Sequence, residues 1–348
     1  MKDEELYMRR ALELALMGAG SVSSNPMVGC VIVKGDRIIG EGYHKKFGEA
    51  HAEVNAINSV EDKEQLEGAV VYVTLEPCSH QGKTPPCADL LIRYPLKKVV
   101  VCNLDPNPLV AGRGIQKIKD AGIEVETGLL EAEGRALNKR FFHWIEKRQP
   151  YVILKWAQTA DGFIARDNYD SKWISNALSR KLVHKWRSEE DAVLAGTKTV
   201  LYDNPQLNVR DWAGRNPIRL FIDKKLEVPL DYHILDNSQK TICYNCCKNE
   251  DEGRLHYVKV PENTCFISFI LNDLYDRGVQ SVIVEGGTNL LKGFIENDLW
   301  NEIRVFHSEQ TFGSGITAPV FRGTLLADHI LLNDRLSIYY PLTTRYSY

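Results

Sequence analysis

The chain has 348 residues, 26% charged and 44% hydrophobic, with a formal net charge of −3. That length accommodates two cores of ordinary size, and the near-balanced charge gives no basic field for duplex or long single-stranded nucleic acid. No apolar run approaches bilayer-spanning length, and no apolar segment follows the acidic start Met1-Lys2-Asp3-Glu4-Glu5, so neither a membrane span nor a secretion signal is expected. Helical spacing of Leu6, Ala11, Leu12, Ala15 and Leu16 predicts a helix over residues 3–19, ending near Gly18 and Gly20. Residues 28–33 and 37–42 read as strands of a hairpin joined through Gly35-Asp36. Residues 51–59 then read as a helix, 69–75 as a buried strand, 87–94 as a helix and 97–102 as a strand, with helices over 112–121 and 131–146. The alternation predicts a three-layer α/β domain. Near residues 147–150 the charged run Glu146-Lys147-Arg148 gives way to Pro150 and an apolar strand, which places two domains at 1–147 and 148–348. In the second, strands are expected at 151–155, 191–196, 218–223, 240–244, 281–285 and 302–307, and helices at 177–189, 264–277 and 288–297. No internal repeat, heptad array or low-complexity tract is visible.

Chemistry concentrates in His51-Ala52-Glu53, Pro77-Cys78 and Cys87. One imidazole and two thiolates make three zinc ligands and leave the fourth tetrahedral position for water, the arrangement of a catalytic zinc. Such a metal brings the pKa of water toward neutrality. Glu53 is not counted as a ligand; it is the expected carrier of a proton from water to a departing amine. The order matches the H-x-E…P-C-x-x-C pattern of deaminases that attack C4 of cytosine or C6 of adenine. One difference is the spacing, because eight residues separate Cys78 from Cys87. That longer loop carries His80, Lys83, Thr84 and two prolines, and reads as a substrate-contacting insertion. The competing reading is that these are buried structural residues, since free Cys is often a small hydrophobe. His51 and Glu53 fall in a first helical turn. Cys78 follows Pro77, a residue favoured at helix starts, so both ligand-bearing helices are expected to aim their positive ends at the metal. The eight cysteines overall read as reduced thiols or metal ligands in the cytosol.

Further along, Val282-Ile-Val-Glu-Gly-Gly-Thr runs from a strand into a glycine pair and a helix, which suits close approach of a phosphate to helix amides. A strand-to-helix turn without a ligand explains it equally well, and no G-x-G-x-x-G is present. Lys155, Asp161, Trp173, Arg187, Asp203 and Arg210 are ambiguous alone, because such residues are usually solvated. Cys243, Cys246 and Cys247 form a C-x-x-C pattern whose nearest histidine is His256; lacking further ligands, they read as ordinary thiols. His184, set among Lys181, Lys185 and Arg187, reads as part of a solvated face, and Trp186 as core or interface.

The strings His-Ala-Glu-Val-Asn-Ala-Ile from residue 51, Thr-Leu-Glu-Pro-Cys from residue 74 through Pro-Pro-Cys ending at residue 87, and Asp-Pro-Asn-Pro-Leu-Val-Ala-Gly-Arg-Gly-Ile from residue 105 resemble the RibD family of bifunctional riboflavin biosynthesis enzymes over nearly the whole chain. The resemblance implies a cytidine-deaminase-like α/β/α domain followed by a dihydrofolate-reductase-like α/β domain. It implies hydrolytic deamination of 2,5-diamino-6-ribosylamino-4(3H)-pyrimidinone 5′-phosphate, with one Zn2+ per chain held by His51, Cys78 and Cys87 and with Glu53 as proton shuttle. NADPH-dependent reduction of the ribosyl group of the resulting 5-amino-6-(5-phosphoribosylamino)uracil would follow. Matching positions would place the deaminase substrate against Asn25, His44, Lys83, Asp105 and Asn107. The reductase substrate would meet Ser171, Arg187, Leu207, Arg210 and Glu285, and the cofactor Ala157, Trp173, Thr199, Asp203, Gly287, Thr288 and Asn289. Two arginines suit a phosphorylated sugar, whose oxygens their forked donors fit. The implied partners are small phosphorylated pyrimidines and further copies of the chain in a cytoplasmic homo-oligomer, with no nucleic acid and no membrane.

The family's Ser-Leu-Asp-Gly is here Thr159-Ala160-Asp161-Gly162, and its Leu-Val-Asp-Glu is Leu299-Trp300-Asn301-Glu302. The first keeps a hydroxyl, and the second is expected to alter packing more than chemistry. Lys224, after Asp223, offers a cation for a cofactor phosphate. Two other readings compete: a nucleoside or tRNA deaminase with an unrelated second domain, and a second half that is a binding or oligomerisation module without turnover.

Overall fold

Cys30 and Ile32 alternate with Val31 and Val33, which puts apolar rows on opposite faces of one strand, and all four are buried. Both faces must therefore be covered. The computed structural model of the chain describes residues 2–80, 85–107, 110–171 and 174–342. In the first unit, α1 (Lys2–Leu16) is followed by β1 (Gly29–Lys34), β2 (Arg37–Tyr43), α2 (Ala52–Ser59), β3 (Val70–Leu75), α3 (Cys87–Leu91) and β4 (Lys98–Asn103). Then come α4 (Arg113–Asp120), β5 (Glu124–Thr127), α5 (Glu131–Leu137) and α6 (Lys139–Lys147). The sheet order is β2-β1-β3-β4-β5, with β1 antiparallel to both neighbours and β3, β4 and β5 parallel. Met8, Ala11 and Leu14 of α1 pack on one face with Val31, Val33 and Val100. Ala56 of α2, Leu91 of α3 and Ile118 of α4 pack on the other with Cys30, Ile32, Val71 and Val99. This is the three-layer arrangement expected.

Two local readings need correction. The helix expected over 131–146 is two helices, parted at Asn138. The Asn138 side chain brackets the Met27 peptide, accepting from its N–H at 2.9 Å and donating to its carbonyl at 2.8 Å. Apolar periodicity carries no sign of such a side-chain clamp. Cys78, expected at a helix start, lies in an irregular segment after β3, and the helix begins at Cys87 with Pro86 as its N-cap. Pro77 therefore ends the strand segment instead of opening a helix.

Contacts divide the chain between Arg148 and Gln149. The second unit begins with β6 (Tyr151–Gln158), β7 (Phe163–Ala165), α7 (Ala177–Glu189), β8 (Ala192–Ala195), α8 (Thr197–Asp203) and β9 (Ile218–Ile222). It continues with β10 (Thr241–Asn245), β11 (Glu250–Glu252), β12 (Leu255–Lys259), α9 (Phe266–Asp276), β13 (Ser281–Glu285), α10 (Thr288–Glu296), β14 (Glu302–His307), β15 (Ile316–Thr317), β16 (Gly323–Leu331) and β17 (Asp334–Pro341). Ten strands form one sheet in the order β11-β12-β10-β9-β8-β13-β6-β14-β17-β16. The strands from β12 to β14 are mutually parallel and the outer pairs antiparallel. Central strands of a parallel sheet covered on both faces are mostly apolar, as in β13, where Val282, Ile283 and Val284 are buried between Ser281 and Glu285. Leu271, Leu274, Leu291 and Phe294 of α9 and α10 cover one face, and Val183, Trp186 and Val200 of α7 and α8 the other. Among the described residues no helix is long and apolar enough to cross a membrane.

Candidate functional site

The first site forms where α2 and α3 begin. His51 is the N-cap of α2 and Glu53 its second residue, buried at 3% exposure. His51 Nδ1 lies 3.5 Å from Cys78 Sγ and 3.3 Å from Cys87 Sγ, and the Cys87 amide donates to Cys78 Sγ at 3.3 Å. The helix-end amide thus reaches Cys78 from α3 and not from a helix of its own. A tetrahedral zinc with ordinary Zn–S and Zn–N bonds spaces sulfur and nitrogen at roughly 3.6 Å. The three donors therefore sit at close to zinc-ligand spacing, and among the described residues this is the metal-type cluster found, its ligand atoms within 4.8 Å of one another. The donor set suits the ion chemically as well. Sharing a hydrogen bond with the Cys87 side chain lowers Cys78 to about 4, and the same sharing pushes Cys87 up. Burial, reinforced by the Cys78 charge, raises Glu53 to about 7.

A cavity of about 370 Å³ opens beside the triangle. Asn25, His44, Asp105 and Asn107 all line it, together with Phe141 and Ile145 of α6. The His44 ring donates from Nδ1 to the Ala50 carbonyl at 3.1 Å, which leaves Nε2 to accept from the Asn25 amide at 3.1 Å. Burial lowers the His44 pKa, consistent with that neutral tautomer. Asp105 accepts from the Asn107 amide at 2.8 Å, and burial raises its carboxyl. Lys83 lies outside the described residues. Glu76, which the motif left without a role, is buried and lines the same cavity.

The second site gathers at the C-terminal ends of the parallel strands, where α/β sheets place ligands. Lys155 on β6 and Glu285 at the end of β13 are register partners, with Nζ 3.5 Å from Oε2. Arg187 of α7 grips the same carboxylate by two bonds, 2.6 and 2.8 Å. Burial alone would raise Glu285, but the Arg187 and Lys155 charges outweigh it and hold the group at about 2. Burial lowers Lys155.

His184 corrects the reading of a solvated face. It is 3% exposed, and its Nδ1 donates to the Asn208 carbonyl at 3.0 Å, which also accepts from Arg187 at 3.1 Å. The i, i+3 spacing of His184 and Arg187 was the available signal, because it places them on one helix face. Their shared carbonyl anchors the segment carrying Leu207, which is buried with φ 49°, and Arg210, whose exposed guanidinium bonds Asn208 Oδ1.

Ser171 Oγ donates to Asp203 at 3.2 Å. Thr199 faces the glycine pair, where a Cβ on Gly286 would lie 3.0 Å from its Oγ1. Gly286 and Gly287 have φ of 94° and 79°, a region open mainly to glycine, and the buried Thr288 Oγ1 has no hydrogen-bond partner. A side-chain-free cradle before α10 with an orphaned hydroxyl fits a dinucleotide phosphate. Ala157 is half-buried on β6 and Asn289 exposed in the first turn of α10. Trp173 lies outside the described residues. The Lys224 ammonium sits over the Phe266 ring, 4.7 Å from its centre. Asn301 accepts from the Val152 amide at 2.8 Å. Cys243 is buried whereas Cys246 and Cys247 are exposed.

Comparison with known proteins agrees with this geometry. Residues 1–103 match the cytidine and deoxycytidylate deaminase zinc-binding region, and residues 150–337 the RibD C-terminal domain. The riboflavin biosynthesis protein RibD of Aquifex aeolicus is 43% identical over 316 residues, covering 89% of this chain and 88% of that protein. RibD of Escherichia coli K12 is 36% identical over 332 residues, covering 89% of each. A crystal structure from Thermotoga maritima, named a diaminohydroxyphosphoribosylaminopyrimidine deaminase/5-amino-6-(5-phosphoribosylamino)uracil reductase, superposes with a TM-score of 0.90 at 38% identity, covering 98% of this chain and 99% of that one. With both domains, their order and their full length matched, the chain belongs to the RibD family of riboflavin biosynthesis proteins, a zinc-binding deaminase domain followed by a reductase domain.

Proposed function

We propose that the first domain hydrolytically deaminates 2,5-diamino-6-ribosylamino-4(3H)-pyrimidinone 5′-phosphate and that the second uses NADPH to reduce the ribosyl group of the product to ribityl. The observation that carries the reading is the three-donor triangle opening onto a cavity lined by Asn25, His44, Asp105 and Asn107, with Glu53 buried at its edge. His51, Cys78 and Cys87 would hold zinc, which when bound supplies a Lewis acid that makes water acidic near pH 7. Glu53 takes the proton of the attacking water and delivers it to the leaving amine, the role of a carboxyl poised near the working pH. The Asn25 amide, fixed by neutral His44, leaves its Oδ1 to accept from the pyrimidine ring, while Asp105 and Asn107 read the opposite ring edge.

In the second domain Thr199, Asp203 and the Gly287-Thr288-Asn289 turn would hold NADPH, which when bound supplies a hydride. Lys155 holds a proton at Nζ for the sugar oxygen. Two cations share the single Glu285 carboxylate, so this trio leaves one positive charge for a phosphorylated substrate. Arg210, exposed at the rim, meets the phosphate.

The test is ammonia release and NADPH oxidation by one purified preparation given the diaminopyrimidine phosphate. Glu53→Gln is expected to slow ammonia release roughly 10²- to 10⁴-fold with its zinc retained, while oxidation of NADPH on already deaminated substrate is unchanged. Zinc-loaded wild-type protein that releases no ammonia from this compound would sink the substrate assignment.

A further inference from the structure

Glu76 stands two residues before the ligand Cys78, at the point where the chain leaves β3, and is 4% exposed. Its backbone N–H donates to the Asn103 carbonyl at 2.9 Å, continuing the pairing of β3 with β4 for one more step. Glu76 lines the cavity beside the metal triangle, and its carboxylate is held by backbone amides. One oxygen accepts from Asp105 at 3.3 Å and Gly112 at 2.9 Å; the other accepts from Gly114 at 3.0 Å and Ile115 at 3.5 Å. The donors lie 29 to 39 residues further along the chain. A buried carboxylate satisfied by several amides is strongly held, because each bond is charge-assisted and works in a low dielectric. The same junction is closed sterically: a Cβ on Gly114 would lie 2.0 Å from the Pro77 carbonyl, so the first turn of α4 rests directly on the ligand segment. One side chain thus fastens the Cys78 segment, the start of α4 and the turn in which Asp105 accepts from Asn107.

We propose that Glu76 is a positioning residue of the deaminase, fixing Asp105 and Asn107 against the metal-ligand segment, so that it governs substrate recognition and leaves the chemical step alone. The proposal rests on the deaminase reading above, which wild-type turnover establishes in the same assay before variants are compared. Glu76→Gln keeps the shape but replaces one acceptor by an NH2 that faces backbone donors. It is expected to raise KM for the diaminopyrimidine phosphate roughly tenfold, with kcat within about twofold of wild type, the pattern of lost binding with the reacting centre intact. Zinc is expected to remain at one per chain, and the reductase rate of the same preparation to be unchanged. Asp105→Asn is expected to raise KM similarly, and Glu76→Gln/Asp105→Asn to fall well short of the product of the two, since the residues act as one unit. Glu76→Asp, which keeps the charge and shortens the reach, moves KM in the same direction by a smaller factor and serves as the test where the Gln variant does not fold. A fall in kcat at unchanged KM, loss of zinc, or full multiplicativity in the double variant overturns the proposal.

Discussion

At Arg187 and Glu285 two charges leave water together, and the pair survives because its bonds are short, doubled and supplemented by Lys155. Glu285→Gln keeps the volume but strands a buried guanidinium. A loss of about 3–5 kcal/mol of stability is expected, the usual cost of breaking a buried pair from one side. The loss carries a pH signature. Glu285 is held at about 2 in the folded chain against an ordinary 4.5, so its contribution is complete above pH 4.5 and disappears as the pH falls toward 2. The gap in unfolding temperature between wild type and Glu285→Gln should stay flat from neutral pH to about 5 and narrow below it; a gap that narrows on the alkaline side would show that another group is responsible. Residues of this kind were only half legible. The His51, Cys78 and Cys87 cluster and Glu53 are picked out by donor types and spacing alone, whereas Arg187 and Glu285 needed the family pattern, because isolated charged residues carry no sign of burial. His184 was misread for the same reason: its neighbours Lys181 and Lys185 suggested solvent, and the segment that covers it follows no periodicity.

Helices and strands with an apolar period were legible nearly to their ends, as with α7, β13 and β14. Some elements that escaped carry an alternating pattern, as β12 does, and others lack one. β5 reads Glu-Val-Glu-Thr and is an edge strand with little buried surface, so nothing in its composition marks it. The break between α5 and α6 is set by one side chain reaching across the fold to Met27. Asn138→Ala leaves a peptide N–H and a carbonyl without their partner, each costing about 1–3 kcal/mol when buried. A destabilisation of about 2–4 kcal/mol follows, measurable as a lower urea midpoint. Asn138→Asp keeps the acceptor but sets a second oxygen against the Met27 carbonyl and buries a charge, and should lose at least as much. A loss in Asn138→Ala well below about 1 kcal/mol would mean that packing, not the paired bonds, sets the break.

Each of the two domains has its own sheet covered on both faces and its own cluster of site residues. Among the described residues, a His and Cys cluster able to hold a metal is found only in the first. Dialysis against a zinc chelator is therefore expected to abolish ammonia release while leaving NADPH oxidation on deaminated substrate at the wild-type rate. A parallel fall of both activities would mean that the metal also supports the second domain. The domain plan was visible in the sequence because strand–helix alternation restarts after Pro150, but the shape of the deaminase cavity was not, since its walls come from segments far apart. Met27 and Asn138 are 111 residues apart. During synthesis, which delivers the chain from its N-terminus, His51, Cys78 and Cys87 emerge before Asn138, which pins Met27, and before the Phe141 and Ile145 wall. The wall that α6 contributes is thus the last part of this cavity to be made.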